Sequence, residues 1–153
     1  MVDSSAQPGL GLDEQLCFAL YSASRAITAR YRPLLEDLGL TYPQYLVMLV
    51  LWESGPVTVG QLGQRLHLDS GTLSPLLKRL EAVGMVRRQR RQGDERSVEV
   101  TLTGNGHRLR ERATCLPSAI GSATGLDVAG AARLVEELRT ITEAVRADLS
   151  SHG

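Results

Sequence analysis

Residues 57–103 read VTVGQLGQRLHLDSGTLSPLLKRLEAVGMVRRQRRQGDERSVEVTLT, and this stretch decides the fold. In 59–66 (VGQLGQRL), Val59, Leu62 and Leu66 fall on one side of a short helix, which His67-Leu68-Asp69 interrupts. In 70–83 (SGTLSPLLKRLEAV), Leu73, Leu76, Leu77, Leu80 and Val83 recur at helical spacing, predicting one buried face. Asp69 or Ser70 supplies the cap and Gly84 the stop. Pro75 lies about one turn in, where its missing N–H costs little. Residues 85–89 and 97–102 alternate as two short strands, and RRQGDER between them carries a Gly93-Asp94 turn signal.

Working outward, residues 41–54 form a helix with Thr41 or Tyr42 near its cap and Pro43 at its first position. That helix is apolar nearly all round (Tyr45, Leu46, Met48, Leu49, Leu51, Trp52), so it belongs in the core. Upstream, Asp13 caps a stripe running Leu16, Phe18, Leu20, Ala23, Ile27, Tyr31, Leu34, Leu35, Leu38; Pro33 kinks it or opens a second helix. Downstream, Thr103 caps a helix from Gly104 to about Ser122. Asp127 caps a last one carrying Leu134, Leu138, Ile141, Val145 and Leu149. The chain thus divides into a polar tail (1–12), N-terminal helices (13–56), a helix-turn-helix with hairpin (57–103) and C-terminal helices (104–153). Element order makes it mainly α with a small β-hairpin, a winged helix-turn-helix.

Composition agrees: six aromatic residues in 153 leave the core to Leu, Val and Ala, which suits helices. No apolar run is long enough for a transmembrane helix, and MVDSSAQPGLGLDEQL lacks a signal-peptide layout; the expected setting is a reducing cytosol. Cys17 and Cys115 are therefore apolar fillers or reactive thiols rather than a permanent bridge. The net charge of zero hides an asymmetry: residues 59–102 hold eight basic and five acidic groups, with seven of the basic groups between Lys78 and Arg96.

That local patch points to duplex DNA. In a helix-turn-helix the second helix enters the major groove, N-terminal residues first. With the leucines inward, Ser70, Thr72 and Ser74 present short hydrogen-bonding groups outward, and Lys78 and Arg79 add charge one turn on. Arg88, Arg90, Arg91 and Arg96 in the hairpin suit flanking phosphates and a narrow minor groove. Asp94 either aims Arg96 through a paired contact or, with Glu95, only shapes the turn. The C-terminal stripe, with little else to cover it, argues for a homodimer. A two-fold dimer would meet half-sites about one helical turn apart, in a pseudo-palindromic operator. The alternative is that the terminal helices fold back on their own lobe.

Asp94-x-Arg96 followed by Leu102-Thr103, in this element order, resembles the MarR family of regulators. The resemblance implies a dimer intertwined through its N- and C-terminal helices, with Arg96 in the minor groove. LCFALYSASRAITARYRPLL, LTYPQYLVMLVLWE and LDSGTLSPLLKRLE further resemble the organic-hydroperoxide-sensing branch of that family. By that resemblance Cys17 is the peroxide-reactive thiol of a repressor that releases its operator on oxidation. Tyr21, Tyr31 and Tyr42 match the tyrosines around it, some arriving across the dimer interface. From the residues alone, Tyr21 shares a helix face with Cys17 at i+4. Cys115 is the candidate resolving thiol; a small external thiol is the other route to a disulfide. A MarR-type repressor released by a small aromatic or anionic ligand, with Cys17 incidental, is the competing reading. An enzyme is not expected, since His67, His107 and His152 show no metal or catalytic spacing, and no cofactor is implied.

Overall fold

The stripe that begins near Leu16 becomes one helix, α1 (Leu16–Glu36), with Pro33 inside it. No second helix starts at Pro33. It sits in the last turn, where the bond it forgoes to the Ala29 carbonyl is lost on an exposed face. Asp13 does not cap α1. It belongs to a 3-10 turn (Leu12–Glu14), and Gln15 precedes the helix without a side-chain cap. The amide of Gln15 donates instead to Gly9 O at 2.7 Å and Gly11 O at 3.1 Å. This computed structural model describes residues 9–153, the side chains of Glu95 and Arg96 excepted, so most of the expected tail lies outside the described residues.

Helix α2 (Tyr42–Ser54) opens with a reciprocal cap: Gln44 N–H donates to Thr41 Oγ1 and Thr41 N–H to Gln44 Oε1. Both ends of the Gln44–Thr41 pair are thereby used, which lets Gln44 lie buried without an orphaned polar group. Pro43 stands second rather than first in the helix. Tyr45, Val47, Met48, Val50 and Leu51 are buried as expected of a central helix, although Leu49 is exposed. After Gly55, residues Val57–Thr58 form β1, a strand too short to show alternation in sequence. Thr58 then caps α3 (Val59–Leu66) through the same reciprocal bonds with Gln61. His67, in the left-handed region at φ 56°, makes the turn into α4 (Ser70–Ala82).

Strands β2 (Val86–Arg91) and β3 (Asp94–Leu102) pair antiparallel, and β1 adds to β3, giving the order β1-β3-β2. The sheet is three-stranded, not a lone hairpin: Val57 pairs with Val100 and Thr58 with Glu99. The tip is tighter than the motif suggested. Arg91 pairs with Asp94, so the turn is Gln92-Gly93, with Gly93 at φ 91°, and Asp94 lies in the strand. A register shift between Arg90 and Arg91 precedes it.

The helix expected over 104–122 is two helices, α5 (Gly104–Ala113) and α6 (Leu116–Thr124). Pro117 is the reason: it has no N–H to continue α5 and is at home in the first turn of a new helix. Thr103 caps α5, and Asp127 caps α7 (Val128–Ser151), both as expected. By internal packing the chain falls into one unit running to Thr114 and a second, Cys115–Gly153. Within the first, Leu35, Tyr45, Met48, Leu51, Leu62, Leu73, Leu77 and Leu80 form the centre of the core. In the second, α7 buries no residue along its length, and Leu134, Val135, Val145 and Leu149 are exposed. Among the described residues no helix is long and apolar enough to cross a membrane.

Candidate nucleic-acid interface and thiol site

Helix α4 is built to keep one face free. Leu73, Leu77 and Leu80 are buried, Leu76 is half-buried, and Ser70, Thr72, Ser74, Lys78 and Arg79 are all exposed. The apolar face ends one residue sooner than its spacing suggested: Val83 is past the last turn and 55% exposed. Asp69 occupies the front of the helix, accepting from Thr72 N–H at 2.7 Å. Hydrogen bonds from the Thr72 side chain and backbone hold the Asp69 carboxyl below its ordinary range. The first turn is thus fixed by its own cap, and the outward hydroxyls sit on a preset backbone.

The wing arginines separate into two kinds. Arg88 stands in β2, not in the loop, and faces the end of α4. Its backbone N–H donates to Glu81 Oε2 at 2.8 Å and its Nη2 to Glu81 Oε1 at 3.2 Å. Those bonds lower the Glu81 carboxyl below its usual value. Arg88 Nε is buried with no hydrogen-bond partner, so this guanidinium braces sheet to helix at some cost. Arg90 and Arg91 are exposed at the tip, where Arg91 Nε lies 3.8 Å from Glu99 Oε2. Asp94 is exposed in β3, while the Arg96 side chain and any pairing between the two lie outside the described residues.

The thiols are both exposed. Cys17 is the second residue of α1. Tyr21, at i+4 and 60% exposed, carries the Arg25 guanidinium over its ring at 5.4 Å. Tyr31 and Tyr42 are elsewhere. Their ring centroids are 5.0 Å apart, and Tyr45 joins them at 5.7 Å from Tyr31 and 6.5 Å from Tyr42. Tyr45 is a member that sequence reading placed only in the core; its Tyr42-x-x-Tyr45 spacing on α2 was the available signal. Burial, then the neighbouring Tyr45 and Tyr42, push the Tyr31 hydroxyl up to about 12, and burial raises Tyr42 as well.

Along continuous α1, Tyr31 is fourteen positions beyond Cys17, about 21 Å at 1.5 Å per residue. Cys17 therefore shares a helix face with Tyr21, one turn on, while Tyr31 of the same chain lies far along α1. Among the described residues no tyrosine hydroxyl hydrogen-bonds the Cys17 sulfur. Cys115 is not inside a helix continuous with α5, as expected from sequence, but at the N-cap position of α6.

The MarR family model matches residues 40–98. The chain is 51% identical to the organic hydroperoxide resistance transcriptional regulator of Bacillus subtilis, over 71% of this chain and 74% of that one. It is 49% identical to the HTH-type transcriptional regulator TtmR of Methylorubrum extorquens, over 92% of this chain and 72% of the relative. Among solved structures, reduced AbfR bound to DNA is 41% identical and superposes with a TM-score of 0.75, covering 88% of this chain and 93% of that one. AbfR with its disulfide formed, at 39% identity and 88% and 91% coverage, gives 0.63.

Proposed function

This chain belongs to the MarR family of DNA-binding transcriptional regulators, and on that premise we propose that it is a repressor switched by organic hydroperoxides through Cys17. Residues 57–103 form its DNA-reading lobe, and residues 13–56 and 104–153 its sensor and dimerisation helices. In this reading Ser70, Thr72, Ser74, Lys78 and Arg79 of α4 enter the major groove. Arg90 and Arg91 meet flanking phosphates, and Arg96 with Asp94 takes the minor groove. Arg88 supports the wing from behind through Glu81. Two copies related by a two-fold axis bind a pseudo-palindromic operator.

The observation that carries the sensing reading is the position of Cys17, exposed in the first turn of a helix whose apolar side chains Leu16, Phe18 and Ile27 are also exposed. The thiol is open to solvent, and an apolar surround favours a peroxide with an organic tail. The thiolate attacks one peroxide oxygen. The O–O bond breaks, the sulfur is oxidised to sulfenic acid, and the peroxide leaves reduced as an alkoxide that takes a proton to become the alcohol. A second thiol then condenses with the sulfenic acid, releasing water and forming a disulfide. Cys115 of the partner subunit is one candidate for that thiol and a small cellular thiol the other. The intrachain separation of Cys17 from Tyr31 and Tyr42 supports a site in which those tyrosines come from the partner. Identity to the Bacillus regulator supports the peroxide class, and the AbfR structures named as reduced and disulfide-formed support redox control.

The test uses a duplex selected from a random pool by the reduced protein. Cumene hydroperoxide should release the wild type and leave Cys17→Ser bound. Release of Cys17→Ser at the wild-type peroxide dose overturns the sensing role. A non-reducing gel of the oxidised protein identifies the second thiol: a dimer-sized band lost in Cys115→Ser assigns the bridge, and monomer-sized bands alone assign a small-thiol cap.

A further inference from the structure

Trp52, the single tryptophan of the chain, joins two parts of the first unit, α2 and α5. On one side its ring stands edge-on to Tyr45, with centroids 6.4 Å apart and planes at 65°, and Tyr45 completes the Tyr31–Tyr42 cluster. On the other side Trp52 Nε1 donates to the backbone carbonyl of Gly106 at 2.9 Å. Gly106 is a backbone-to-backbone contact. A Cβ built there would collide with the Met85 carbonyl oxygen and meet Leu102 Cδ2 at 3.1 Å.

Met85 is in turn the root of the wing. Its N–H donates to Leu80 O of α4 at 2.9 Å, and its carbonyl accepts from Thr103 N–H at 3.0 Å. The Thr103 hydroxyl donates to Gly84 O at 2.5 Å and accepts from Gly106 N–H at 3.1 Å. The end of α4, the start of β2 and the first turn of α5 are therefore clasped by hydrogen bonds with almost no slack. Trp52 is the side chain that hooks this clasp to the tyrosines.

We infer that Trp52 is a positioning residue through which the tyrosine cluster sets the orientation of the wing root and the end of α4. A ring contact on one edge and a directional N–H···O bond on the other transmit displacement better than packing alone, because the bond has one geometry. What displaces the cluster rests on the redox reading above; the tie itself does not.

Trp52→Phe keeps an aromatic ring and removes only the N–H. With the selected duplex, the ratio of reduced to peroxide-treated affinity should fall at least about fivefold in Trp52→Phe. Thiol titration should show Cys17 equally oxidised in both proteins. In the wild type, emission of the sole tryptophan should change in step with DNA release. A wild-type ratio in Trp52→Phe, or unchanged emission while DNA leaves, overturns the tie. If peroxide fails to release the wild type, the sensing reading falls, and a cycle of Tyr45→Phe, Trp52→Phe and the double variant judges the tie on reduced-state DNA affinity. Non-additivity of about threefold or more supports the tie; additive effects overturn it.

Discussion

Helices α4 and α7 open alike and are opposites in the folded chain. Each opens on an aspartate whose carboxylate accepts from a backbone N–H three residues on, at 2.7 Å for Asp69 and 2.6 Å for Asp127. Leucines recur at helical spacing in both, with valines added in α7. Yet α4 buries three leucines completely, whereas α7 buries nothing. Amphipathicity shows that a face needs cover. It does not say whether the cover comes from the same chain. Helix α4 is finished within one chain, which leaves its other face free on a preset backbone. The last helix is left with an apolar face that a second copy would cover, at the cost of exposed Val145 and Leu149 in the single chain.

The largest expected effect tests the finished half. Leu77→Ala should lower unfolding stability by about 2–5 kcal/mol in urea, since the leucine is fully enclosed. Val145→Asp with Leu149→Asp should instead keep the helical circular dichroism and move the protein to monomer in sedimentation. If that double variant unfolds as Leu77→Ala does, the α7 face is covered by its own chain and the contrast is gone. Next comes pH. The Asp69 cap favours the charged carboxylate, so its contribution is complete above the ordinary carboxylate pKa and is lost as pH falls through the lower folded value. Asp69→Asn should remove that acid-side loss while keeping the cap, as read from thermal unfolding between neutral and acid pH.

A smaller effect concerns the tyrosines. Burial opposes the Tyr31 phenolate, so this contribution to stability is intact below the ordinary pKa of 10.0 and disappears as pH rises through about 12. Ultraviolet titration should show a step near 12, and Tyr31→Phe should abolish it. The smallest change is at the wing tip. Arg90→Ala should weaken DNA binding across sequences and reduce the salt slope by about 1. Arg88→Ala should also loosen the wing, because it frees Glu81.

Much of this was legible because it is local. The caps at Thr41, Asp69, Thr103 and Asp127, the leucine face of α4 and the strands on either side of Gly93 follow from backbone hydrogen-bonding needs within a few residues. Other readings failed for equally physical reasons. Val57-Thr58 carries no period, and its strand exists only because β3 is beside it. Pro33 at a helix end costs too little to break it, while Pro117 at a junction is enough to split one helix into α5 and α6. Val83 keeps the spacing of the buried face but lies past the turn that covers it. Arg88 reads as one more loop cation, until Glu81 from the preceding helix claims it.

The stretch at 57–103 determined by itself that this is a helix-turn-helix with a wing, since short-range periodicity, capping and turn chemistry have few other solutions. Which arginine braces and which is exposed was decided only by tertiary structure, as was the gathering of Tyr31, Tyr42 and Tyr45 about 21 Å from Cys17 along α1. Charges and rings act through space, and their partners stand on other elements.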